Sequence, residues 1–154
     1  MSITLFTNSP EETINLGKKL GSLLKGGEVL ALVGDLAAGK TTFTRGLAVG
    51  LGLEDDIHSP TFTLVHEHIG KNTLYHIDLY RLEGQAEMDS IGLDDYIYGR
   101  GVTVIEWADR LDETLPEETL FITISTDGDA GRRFLLETSS PALQSVIKEL
   151  DSNA

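Results

Sequence analysis

Gly34-Asp35-Leu36-Ala37-Ala38-Gly39-Lys40-Thr41 spells G-x-x-x-x-G-K-T. That spacing suits a loop whose backbone N–H groups cradle a phosphate chain, with the lysine on the terminal phosphates and the threonine hydroxyl on a magnesium ion. The flanking sequence fits the same chemistry. Val29-Leu30-Ala31-Leu32-Val33 is an apolar run suited to a buried strand, and Phe43, Leu47 and Leu51 recur every four residues, as one face of a helix does. A helix start leaves N–H groups without intrahelical acceptors and carries partial positive charge, so it attracts phosphate. Asp35, Leu36, Ala37, Ala38 and Gly39 would form the cradle, with Lys40 and Thr41 opening the helix. The plainer alternative is an ordinary strand-to-helix turn rich in small residues.

Holding phosphate is not yet hydrolysis, which needs metal support, commonly from an acid at the end of a neighbouring strand. Glu106 follows Val102-Thr103-Val104-Ile105 and so falls at the C-terminal end of a buried strand, the edge at which open α/β sheets bind ligands. Its plainer reading is a solvated acid. Asp78 lies among apolar neighbours in Tyr75-His76-Ile77-Asp78-Leu79-Tyr80. A carboxylate there must be paired or put to use, because a bare buried charge is costly. It could order the metal's waters or the attacking water, or simply pair with Arg81. Thr61, after Ser59-Pro60, could sense the terminal phosphate from a loop, or sit in an ordinary turn. Arg132 and Arg133 open a strand after a glycine loop, and either one could stabilise phosphate charge or be solvated. His58, His66, His68 and His76 lack the spacing of a metal set. Trp107, the single tryptophan, adjoins Glu106, and its fluorescence is expected to respond to nucleotide with magnesium.

These groups need elements to hold them. Ile3–Phe6 reads as a short strand. Ser9 caps the next helix, with Pro10 at its first position and Glu12 three residues after the cap. Ile14, Leu16, Leu20, Leu23 and Leu24 give that helix its apolar side, and Gly26-Gly27 stops it. The loop helix ends near Gly50. Phe62–Ile69 and Thr73–Leu79 form a hairpin across Gly70-Lys71-Asn72. Gly84–Gly101 reads as an irregular helix, Val102–Ile105 as a buried strand, and Leu120–Ser125 with Arg133–Thr138 as an antiparallel pair. Ser140-Pro141 opens a last helix through about Leu150, and residues 151–154 form a flexible tail. The fold expected is α/β, a P-loop NTPase-like single domain over residues 1–150. It has a mixed, mostly parallel sheet flanked by helices, with antiparallel hairpin additions.

Composition narrows the function classes. The 154 residues suffice for one domain with a proper core. No run approaches the roughly 20 apolar residues of a membrane span, and the first ten residues lack the basic start and apolar stretch of a signal peptide. The absence of cysteine removes disulfides and thiolate metal sites. These features together favour the cytoplasm. A net charge of −13 is ill-suited to gripping a nucleic-acid backbone unaided.

Four segments in order, Gly34–Thr42, Ser59–Val65, His76–Arg81 and Val104–Trp107, resemble the TsaE (YjeE) family, with similarity from about Ser9 to Arg133. The resemblance implies a small P-loop ATPase, with ATP and Mg2+ as cofactors, that works in forming threonylcarbamoyladenosine on tRNA. It implies TsaD, the transferase, and TsaB, its pair, as partners, with tRNA met only through that complex; the sequence does not set the oligomeric state, and a monomer is the expectation for the chain alone. By motif match, Thr41 and Glu106 would be magnesium ligands, Lys40 would meet phosphate and Asp78 would be the essential aspartate. Pro10, Thr42 and Arg132 would contact nucleotide. Ala37 stands where the family usually has glycine, which the loop tolerates if that position has negative φ. Hydrolysis is expected to be slow until a partner completes the site. Two alternatives remain: a small-molecule kinase on the same fold, and a non-catalytic module gated by nucleotide. A GTPase switch is disfavoured because N-K-x-D is absent.

Overall fold

The computed structural model describes residues 2–34, 39–53, 65–70, 72–78, 93–106 and 115–152. Those residues build a seven-stranded sheet in the order β1-β7-β6-β2-β5-β4-β3. The strands are β1 (Ser2–Thr7), β2 (Val29–Val33), β3 (Val65–His68), β4 (Leu74–Asp78), β5 (Val102–Glu106), β6 (Leu120–Asp127) and β7 (Gly131–Glu137). The helices are α1 (Pro10–Leu23), α2 (Lys40–Gly50), α3 (Leu93–Ile97) and α4 (Pro141–Ser152).

The four central strands, β6, β2, β5 and β4, are mutually parallel. Antiparallel partners flank them: β3 on β4 at one side, β7 on β6 and then β1 on β7 at the other. The sheet is therefore mixed and mostly parallel, with hairpins added at its sides. The parallel strands are buried on both faces, which is why β2 and β5 read as unbroken apolar runs. Their alternation divides the core. Leu30, Leu32, Val102 and Val104 face the side covered by α1, α2 and α4, through Leu20, Phe43, Leu47 and Ile147. Val29, Ala31 and Ile105 face the other side, with Ile77 and Ile97.

The start of α1 forms as its residues dictate. Ser9 is extended, its hydroxyl accepts from the Glu12 N–H, and the Glu12 carboxylate reaches back to the Asn8 N–H. The buried Thr7 and Thr13 hydroxyls, 2.7 Å apart, tie the end of β1 to α1. Next, α1 and α2 meet backbone to backbone. A Cβ added at Gly17 would lie 2.3 Å from the Phe43 carbonyl oxygen, and one at Gly46 would lie 2.0 Å from that of Ile14. Gly21 and Gly50 continue the contact one turn on.

Some boundaries differ from the sequence reading. Glu106 is the last residue of β5 and does not follow it. Arg132 lies inside β7, because the β6–β7 pairing runs down to Asp127 opposite Gly131. The last helix continues through Ser152, two residues beyond the expected end. Of the irregular helix expected over Gly84–Gly101, Leu93–Ile97 is helical, and residues 98–101 form a turn before β5. Residues 84–92 lie outside the described residues, as do Phe62–Leu64 of the expected hairpin.

Candidate functional site

Parallel strands set the geometry, because they all end at one edge. At that edge β2 ends in Val33 and runs into Gly34, β5 ends in Glu106 and β4 ends in Asp78. The register puts Leu32 beside Glu106 and Glu106 beside Asp78. The two acids read separately in the sequence are thus neighbours across adjoining strands, next to the strand that feeds the glycine loop. Thr7, at the end of β1, registers with Arg132, which brings Pro10 and Arg132 to the same edge.

Gly39 is the N-cap of α2, in the left-handed region at φ +97°, with no side-chain cap. The first helical bond runs from the Phe43 N–H to the Gly39 carbonyl, so no carbonyl within the helix accepts from the N–H groups before it. The contrast with α1 is informative. That helix caps its own start with Ser9 and Glu12 and carries the acids Glu11 and Glu12 in its first turn, whereas α2 opens Lys40-Thr41-Thr42 with no acid there. The second terminus is electropositive by construction.

Lys40 is only 3% exposed, and its Nζ donates to the Gly34 carbonyl, spanning the ends of the loop. Thr41 and Thr42 are partly exposed at the helix start. A Cβ at Gly39 would lie 3.7 Å from Arg132 Nε, so the guanidinium stands against the loop. Arg132 Nη1 also donates to the Gly131 carbonyl at 2.7 Å. The Phe43 and Phe134 rings meet at a tilt of 40° with centres 5.4 Å apart, which joins α2 to β7 two residues from Arg132.

Glu106 is 3% exposed. Its Oε2 lies 2.6 Å from Nε2 of His76, which is fully buried. This partner was not foreseen in the sequence: the two residues are 30 positions apart, and only the parallel register of β4 on β5 joins them. The signal available was the period of β4, in which position 76 shares the side of position 78.

Lys40, Thr41, Thr42, Gly39, Glu106, Arg132 and Pro10 thus come to one edge, with Asp78 placed there by register. Asp35, Leu36, Ala37, Ala38, Thr61, Arg81 and Trp107 lie outside the described residues, as does the side chain of Asp78. A cleft of about 990 Å³ opens at the opposite edge, between the end of α1, the approach to β2 and the start of α4. It holds none of the candidate site residues, and among the described residues the site is marked by strand ends and a helix terminus. Chemically, the edge sets a helix start and the Lys40 side chain beside a buried carboxylate. That combination suits an anion with a bridging cation.

The comparisons with known proteins agree with one another. The family model described as "Threonylcarbamoyl adenosine biosynthesis protein TsaE" matches residues 7–134. The tRNA threonylcarbamoyladenosine biosynthesis protein TsaE of Bacillus subtilis is 43% identical over 145 residues, 94% of this chain and 90% of that protein. The chain belongs to the TsaE family. The TsaE of Treponema pallidum is 45% identical over 126 residues, 82% of this chain and 93% of its own. The crystal structure of Bacillus subtilis YdiB superposes with a TM-score of 0.84 at 38% identity, covering 99% of this chain and 96% of that one. The TsaE match begins before the Ser9 cap and ends after Arg132, so every candidate site residue falls within it. The last helix, α4, falls beyond it.

Proposed function

We propose that this protein is a magnesium-dependent ATPase of tRNA threonylcarbamoyladenosine biosynthesis, acting with the TsaB–TsaD pair so that the transferase turns over repeatedly. The pathway is the one its TsaE relatives are named for. The observation that carries the ATPase reading is the meeting of an acid-free helix start, a buried Lys40 and a buried Glu106 at adjoining strand ends.

Bound ATP with Mg2+ would supply a labile anhydride and a divalent charge to polarise it. The chain's own residues do the rest. The loop and the first-turn amides of α2 hold phosphate oxygens, and the Lys40 ammonium opposes their charge. The Thr41 hydroxyl and the Glu106 carboxylate offer the oxygen ligands a magnesium ion prefers. Asp78, next to Glu106 in the sheet, orders water. Arg132 adds positive charge against Gly39, with Pro10, Thr42 and Thr61 bordering the nucleotide. The surplus of 25 acidic over 12 basic residues leaves the tRNA backbone to the partners. No helix among the described residues is long and apolar enough to cross a membrane.

The test is phosphate release from ATP, measured with and without purified TsaB–TsaD and tRNA, alongside a pull-down of the pair. Slow hydrolysis alone, a faster rate in the complex and retention of the pair on the bead are expected. A folded protein that hydrolyses no ATP in any mixture contradicts the reading.

A further inference from the structure

We infer that His76 is a positioning residue for Glu106, holding one carboxylate oxygen so that the other is presented to the cation. The inference rests on the reading of Glu106 as a magnesium ligand. A glutamate carboxyl turns broadly about its last torsion, so nothing in the side chain itself aims its oxygens. Here Oε2 is fixed by His76 Nε2 at 2.6 Å, deep enough that the imidazole is fully buried. Both ends of the contact are held by the sheet: His76 registers with Val104, two residues before Glu106 on the same strand. A carboxylate that binds a cation only accepts, so in that role the proton of the contact belongs to Nε2. Nδ1 then has no hydrogen-bond partner among the described residues.

That lone contact is informative. Beside His76 on its own face lie Leu74 and Val104, both fully buried, with His66 as its register partner on β3. A side chain kept only to fill this space would do better without a polar ring nitrogen lacking a partner. What imidazole adds over an apolar group is the single hydrogen bond to Glu106. Hydrogen-bonded partners of metal ligands fix ligand orientation, and removing them typically weakens metal binding about 10- to 100-fold.

The experiment measures binding of a labelled nucleotide across a magnesium titration, which needs no turnover. It compares the wild type with His76→Phe, His76→Gln and Glu106→Gln, each checked for folding by thermal melting. His76→Phe should raise the magnesium needed for half-maximal enhancement about 10- to 100-fold while leaving metal-free nucleotide affinity unchanged. His76→Gln, whose amide can still donate to Oε2, should restore most of the loss. An unchanged magnesium requirement in folded His76→Phe overturns the inference, and so does a glutamine variant no better than phenylalanine. Glu106→Gln separates the two levels. If it leaves the requirement unchanged, the reading of Glu106 fails and His76 with it; if it raises the requirement while His76→Phe does not, only the role of His76 fails. Should His76→Phe not fold, nitrogen-15 spectra of the wild type decide. The Nε2–H tautomer, with a shift that moves when magnesium nucleotide is added, supports the inference, and the Nδ1–H tautomer overturns it.

Discussion

Lys40 and Glu106 carry opposite charges, each almost sealed from water, at the ends of adjoining elements. Removing either should therefore alter binding more than folding. Lys40→Ala deletes a charged donor, and such bonds contribute about 1.5–3 kcal/mol, so nucleotide affinity should fall by roughly 10- to 100-fold in calorimetry. Thr41→Ala should lessen both the magnesium dependence and the activity, and unchanged affinity and turnover in both variants would contradict the assignment. The positions of Lys40, Thr41 and Glu106 could be read from sequence because each sits where a local pattern ends: a glycine loop for the first two, an apolar run for the third. His76 could not. Its significance comes from a residue 30 positions away, reached only through the pairing of β4 with β5. The four histidines share no metal-binding spacing, and the structure brings a single one of them, His76, against the Glu106 carboxylate.

At the scale of elements, the glycine faces of α1 and α2 decide how the loop helix is seated. The spacing Gly17-x-x-x-Gly21 and Gly46-x-x-x-Gly50 was present in the sequence as a signal, but which glycines met which required the fold. Gly46→Ala gains up to about 1 kcal/mol of helix propensity. It also drives a methyl group into the Ile14 backbone, where overpacking costs typically about 1–3 kcal/mol. A net loss of stability is expected, read as a lower urea midpoint, together with weaker nucleotide binding as α2 is pushed away; a stabilised variant would show that the helices are free to part. The short α3 is held differently. Its Tyr96 ring meets Tyr75 at 5.0 Å, and burial, followed by the Glu67 carboxylate that the hydroxyl donates to, pushes the phenol above its ordinary 10.0. The folded state then binds the proton more tightly than the unfolded one. Its contribution is complete below pH 10.0 and is lost as pH rises through the folded value. Tyr96→Phe should flatten the alkaline fall in stability, and an identical slope would remove Tyr96 from the account. The order of strands was the least legible feature. β1 pairs with β7, over a hundred residues later, and no local pattern encodes that.

For the whole molecule, the site joins elements from across the sheet: the end of β1, the start of α1, the loop helix, two acidic strand ends and the β7 hairpin. Ligand bound there should stabilise the fold as a unit. At a hundredfold excess over its dissociation constant, magnesium nucleotide adds about 2.7 kcal/mol, which for a chain of this size raises Tm by about 5–10 °C. A melt unmoved by saturating nucleotide would contradict a shared site. The most direct measurement is a crystal structure with a non-hydrolysable ATP analogue and manganese, the metal located by its anomalous signal. The account predicts manganese between Thr41 and Glu106, with the phosphates over the first turn of α2 and His76 still on the other carboxylate oxygen. Manganese held by other groups, with Glu106 turned away from the loop, would contradict it.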